Sequence, residues 1–189
     1  MEVQPATGRA SDPFGGRLLL AGALGALVAL SLGLYANLHD PAGDLSITLG
    51  FKDTITMKVW LASAAALFAL MQATSALWMY GRLLPGRAPS WLGPLHRISG
   101  RLAFLLTLPV AYHCLYQLGW QDSSTRVLLH SLIGCAFYGA FAVKVTVVRS
   151  HMLPGIALPI AGGVVFSLLV GAWMTSGLWF ITENGFPSP

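Results

Sequence analysis

Histidines are the residues of this chain best able to do chemistry, and four of the five (His96, His113, His130 and His151) fall within one stretch, HRISGRLAFLLTLPVAYHCLYQLGWQDSSTRVLLHSLIGCAFYGAFAVKVTVVRSH. It reads as two apolar helices joined by a polar turn at 119–125. An imidazole in hydrocarbon is costly without a partner, and a neutral imidazole is a good iron ligand. At about 1.5 Å of rise per residue, an antiparallel pair joined by that turn brings His113 and His130 to similar depth. Two histidines at one level on different helices are what a b-type haem with two axial imidazoles needs, so His113 and His130 are the expected ligands. The plainer reading is a pair of buried histidines hydrogen-bonded to carbonyls or to Tyr112, Tyr116 and Ser131.

A second haem, on His96 and His151, is the natural extension, but helix geometry works against it. His96 and His113 are 17 residues apart, which turns them about 100° from one another on a straight helix, and His130 and His151 are about 60° out of register. A kink at Pro109 could restore the first pair. Otherwise His96 and His151 are interfacial histidines. His39 follows an apolar run and is expected to complete a helix end, with a reserve role as ligand. Arg101 and Lys144 reach deeper than loop cations need to, so they either snorkel, pair with haem propionates, or hold an anionic or quinone headgroup. The sites expected for a cofactor are thus His113, His130, His96, His151, Arg101 and Lys144, the four histidines as metal ligands and heme b, one copy or two, as the cofactor.

Elements that hold these residues must be membrane spans. The 189 residues are 55% hydrophobic and 10% charged, with a mean hydropathy of +0.67, values outside the range of soluble domains. Apolar runs predict five helices at 17–38, 57–80, 95–118, 126–148 and 154–181, an all-α, integral membrane five-helix bundle. Residues 1–16 are expected to form a flexible cytoplasmic tail and 182–189 a short outer tail. The first run is too long for a signal-peptide core and is kept as a span. Rows of small residues at four-residue spacing, Ala21, Gly25, Ala29 and Gly33 in the first span and Gly163, Ser167, Gly171 and Thr175 in the fifth, predict close helix contacts. Gly134 and Gly139 would let a macrocycle approach the fourth helix. Gln72 is expected to bond a neighbouring helix, and Cys114 and Cys135 to be buried thiols.

Eight of the eleven Lys and Arg residues fall on one side of such a bundle and three (Lys52, Lys58 and Arg126) on the other, which predicts an N-inside and C-outside orientation. The net charge of +4 is used up by this asymmetry, and no nucleic acid partner is implied. Nothing resembles a hydrolytic triad or a zinc motif.

The run from about residue 57 to 180, including MKVWLA, HRISGRLAFLLTLPVAYHC, HSLIGCAFYGAFAVK and LPIAGGVVFSLLVGAWMTSGLWF, resembles a family of actinobacterial five-span membrane proteins described as a domain of unknown function. More distantly, HRxxG at a helix start followed by a second histidine near its far end resembles the haem-bearing helices of ferric-reductase-like and ascorbate-reducible b-type cytochromes. That likeness implies electron transfer through haem, with His113 and also His96 standing where ligands stand. No nicotinamide or flavin domain is apparent, so a self-sufficient reductase is not expected. The expected function is electron transfer between a membrane quinol pool and an outer-side redox protein, in a multi-pass protein of the cell membrane in contact with membrane lipids and quinone. The alternatives are a haem-free accessory subunit of a larger membrane complex of the respiratory type and a small proton-coupled transporter.

Overall fold

The computed structural model describes residues 13–42, 46–150 and 155–189. Its helices are α1 (Pro13–Leu38), α2 (Thr54–Met79), α3 (Leu92–Tyr112), α4 (Thr125–Arg149), α5 (Ala157–Trp173) and α6 (Trp179–Asn184). One π-helical turn, His113–Gln117, extends α3, and another, Met174–Leu178, joins α5 to α6 into one continuous rod. Five helices are therefore long and apolar enough to cross a membrane, and no strand occurs among the described residues. Their outward faces carry Leu67, Leu105, Leu129, Leu132 and Ile160, all exposed. Such faces suit lipid, and a helix pairs nearly all of its backbone groups internally, as hydrocarbon requires.

Helix ends follow local chemistry. Asp53 caps α2, its Oδ1 accepting from the Thr56 N–H at 2.7 Å and its Oδ2 from the Thr56 hydroxyl at 3.1 Å. Ser124 caps α4 by accepting from the Val127 N–H at 3.3 Å. These caps start both helices earlier than the apolar runs alone predict. Pro109 lies inside α3 and cannot donate to the Leu105 carbonyl. The chain takes up the wider π turn four residues later, at His113, and π turns re-aim the side chains that follow them.

The packing order is not the chain order. α2 lies between α3 and α5, α4 lies between α5 and α1, and the backbones of α3 and α4 stay apart. Large side chains bridge that gap: Phe104 stacks on Phe141 with centroids 4.0 Å apart, and the Tyr138 hydroxyl donates to Thr107 O at 3.1 Å or to its hydroxyl at 3.0 Å. Beneath them Ala65, Ala69, Phe137 and Leu169 form the buried core. α1 rides on α4 through the first small-residue row. A Cβ at Gly139 would run into the Gly25 carbonyl and come within 3.0 Å of Ala29 Cβ, so the backbones touch at that crossing. Gly139 thus serves helix packing and not a macrocycle. At the same end as the 118–124 turn, called here the Trp120 end, Trp120 N–H donates to Ala36 O at 2.8 Å and ties that turn to α1. Gly119 makes the turn with φ of +66°.

Candidate functional site

His113 opens the π turn of the third span and is 1% exposed. Its Nε2 faces the Ile47 carbonyl at 2.8 Å, so Nε2 carries the proton and donates. Nδ1 then accepts in the neutral ring, and its neighbour is the Gln117 amide. An amide turned with its nitrogen toward Nδ1 satisfies both groups, since in the opposite sense the Gln117 NH2 is buried without a partner. Both ring nitrogens are therefore committed to the protein. Tyr112 packs edge-on against this ring at 5.3 Å. The Tyr112–Tyr116 and Tyr116–His39 rings stack at 5.3 and 4.8 Å, and His39 stacks on Tyr35 at 5.0 Å. His39 is thus part of an aromatic pile that clasps α1 to the third span.

His130, one turn into α4, is placed differently. Its Nδ1 lies 3.2 Å from Ala172 O and 3.1 Å from the Thr175 hydroxyl. That hydroxyl gives its single proton to Gly171 O or Ala172 O, at 2.9 and 3.0 Å. Acceptors alone thus face Nδ1, the proton sits there, and the neutral ring keeps a lone pair on Nε2. No protein group among the described residues hydrogen-bonds that nitrogen. The ring lines a cavity of about 320 Å³, near the lower end of the roughly 300–1,000 Å³ found for small-molecule sites.

This cavity fills the gap left where α3 and α4 part. Its walls are mostly apolar: Val59, Ala62 and Ala65 from α2, Val110 and Ala111 from α3, Leu169 and Trp173 from α5. Phe137 and Tyr138 close the deep end, and Leu32 and Ala36 of α1 cover one side. Gly134 is on the wall with nothing within 4 Å of where its Cβ would be, so it leaves open space beside His130. Toward the Trp120 end stand two cations, Lys58 and Arg126. Arg126 is pinned, donating to Thr175 O at 2.7 Å and lying 3.6 Å from the centre of the Trp179 ring. The π turn at Met174–Leu178 supplies the Thr175 groups that hold both His130 and Arg126. Apolar walls with one free imidazole nitrogen and cations toward one end suit an amphiphile whose polar head donates a hydrogen bond.

The remaining expected site residues lie elsewhere. His96 is in the first turns of α3, at the opposite or Arg149 end, with Nδ1 2.7 Å from the Ser75 hydroxyl. Gln72 meets its expectation as an interhelical bridge, donating to His96 O and, at 2.8 Å, to the Ser99 hydroxyl. Lys144 turns inward beside Gln72, whereas Arg101 is exposed. His151 lies outside the described residues. Cys114 and Cys135 are free thiols, and both line the His130 cavity.

The structure does not bring His113 and His130 together on one space. His130 lines the cavity and His113 does not, because the His113 ring is turned toward Ile47 and Gln117. As arranged, the two rings do not fit a shared haem, since His113 would first have to give up both partners. No group of three or more His, Cys, Asp or Glu side chains suited to a metal ion occurs among the described residues. Ser131 is likewise not a partner of His130, as its hydroxyl donates to Gln121 O at 2.9 Å. Sequence reading missed Lys58, Arg126 and Thr175 as site residues, although two cations on the sparsely charged side of a membrane bundle were a visible signal.

No curated protein and no solved structure matches the chain significantly. Residues 18–188, which reach into all five spans, match a family of unknown function, DUF6529, and the chain belongs to that family.

Proposed function

We propose that this protein is a membrane-embedded binding site for an isoprenoid quinol and works as an electron-transfer component between the quinol pool and a redox partner. The free Nε2 of His130 on the wall of the apolar cavity carries the reading. A quinol is a flat apolar ring with hydroxyl groups. One hydroxyl donates to Nε2, and the ring packs among Val59, Ala62 and Trp173. Oxidation to the quinone releases two electrons, which pass to the redox partner, and two protons. Nε2 takes the first proton, because Ala172 O and Thr175 already hold the ring in the tautomer that can accept it, and hands it to outer-side water before it takes the second. Lys58 and Arg126 favour the partial negative charge left on the quinol oxygens. With the N-inside orientation that the cation count supports, this chemistry sits in the outer half of the membrane, and electrons leave to a protein docked at the outer face.

The haem reading survives in a narrower form, favoured by one observation. A histidine whose Nδ1–H is held by a carbonyl is oriented as an axial ligand is, and Lys58 and Arg126 could meet propionates. Absorption spectra and solvent extraction of the purified protein, in discs of its own lipid, separate the two. The quinol reading expects about one quinone per chain in the wild type and less than about a tenth of that in His130→Ala, with no haem bands. Equal, non-stoichiometric quinone in both proteins removes the quinol reading. A reduced Soret and alpha band lost in His130→Ala replaces it with haem.

A further inference from the structure

At the Arg149 end, a second cavity is lined by a charge with no hydrogen-bond or ion-pair partner among the described residues. Lys144 lies on the inward side of α4, about one and a half turns before the helix ends, and lines a space of about 40 Å³ with Gln72, Gly100, Phe104, Phe141 and Gly162. The hydrogen bonds at this level run among Gln72, Ser75, His96 and Ser99, and none of them involves Lys144. No acidic residue lies in α2, α3, α4 or α5, so none of the helices that line this space offers a carboxylate. An ammonium in an apolar bundle needs either a counter-charge or a polar ligand.

Gln72 supplies half of what is needed. Its Nε2 donates to His96 O and to Ser99, which leaves Oε1 as an unused acceptor. That oxygen points at Gly100, where an added Cβ would sit 2.8 Å away, and both residues line the cavity. The space is larger than the roughly 10–15 Å³ that one water requires and far smaller than an organic ligand needs. Water accepts from the ammonium and donates to the amide oxygen, so it completes both groups where neither a cation nor an anion would.

We propose that Lys144 and Gln72 hold internal water among α2, α3, α4 and α5, a hydrated protonatable site at the opposite end of the bundle from His130. It is separate from the quinol cavity and stands or falls without it. The two spaces share only Phe137 and Leu169 as walls. Water here keeps the Lys144 charge solvated inside the membrane and gives it contact with a proton donor and acceptor.

Pulsed X-ray radiolysis in ¹⁸O-labelled water, on the full chain in lipid nanodiscs, reads the site directly, because hydroxyl radicals formed from bound water oxidise the nearest aromatic rings. Phe104 and Phe141 are expected to take up label about fivefold more than Phe68, an aromatic on α2 that lines neither cavity, and to fall to the Phe68 level in Lys144→Met. Label at Phe104 and Phe141 no greater than at Phe68 in the wild type overturns the proposal. So does label that persists unchanged in Lys144→Met. The wild-type comparison stands even if that variant does not fold.

Discussion

His113 and His130 lie on consecutive spans near the same end of the bundle, yet the chain uses them in opposite ways. His113 is the more buried, and both its nitrogens are spent on the Ile47 carbonyl and the Gln117 amide. His130 is held by Nδ1 alone and keeps Nε2 for whatever enters the cavity. Burial therefore does not mark the functional imidazole; an uncommitted lone pair on a cavity wall does. One histidine closes the structure and the other is open to chemistry.

The largest expected effect belongs to the closing histidine. His113→Ala opens a cavity at a position 1% exposed and leaves the buried Gln117 amide without its partner, together costing about 3–5 kcal/mol, and should lower the thermal midpoint more than any of the other substitutions. His130→Ala should cost about 1 kcal/mol or less, because the Thr175 and Ser176 hydroxyls still serve Ala172 O. Thermal unfolding of the two variants side by side checks this, and a larger loss in His130→Ala breaks the contrast.

Two glycines on α4 sharpen it further. Gly139→Val forces a side chain into the Gly25 backbone and should destabilise by roughly 1–3 kcal/mol through lost α1 docking. Gly134→Ala adds a methyl to open space on the cavity wall and should leave stability unchanged while weakening ligand binding. Protease sensitivity of α1 and a ligand titration measure the two outcomes. Tyr138→Phe, at the deep end of the cavity, removes the hydroxyl bonds to Thr107 and should cost about 1 kcal/mol.

The smallest effect concerns the cap of α2. The Thr56 N–H bonded to Asp53 is the main reason its carboxyl lies below the ordinary carboxylate range. A depressed folded value means that this stabilisation is present above the unfolded pKa and is lost as pH falls through the folded one. Helicity followed through an acid titration should therefore show an earlier acid loss in wild type than in Asp53→Ser, whose hydroxyl caps without titrating.

The five spans were legible because long apolar runs have few other solutions, and the Ala21 to Gly33 row announced a close helix contact. Its partner, Gly139, was not legible, since one helix's stripe says nothing about which neighbour it meets. The candidate site was half legible. His130 stood out as an intramembrane imidazole, but the direction of His113 depended on a π turn after Pro109 and on a carbonyl 66 residues away in sequence. Depth along a helix follows from counting residues, whereas facing follows from tertiary partners. That is why two histidines near the same end of the bundle still do not meet.

Tryptophan fluorescence offers the most direct test of the open histidine, because Trp120, Trp173 and Trp179 all line the cavity. Titration with a short-tailed quinone in lipid nanodiscs should quench this emission saturably, with an apparent affinity about tenfold weaker in His130→Ala and unchanged in Lys144→Met. Quenching that rises linearly with quinone and is the same in wild type and His130→Ala would mean that the ring of His130 takes no ligand.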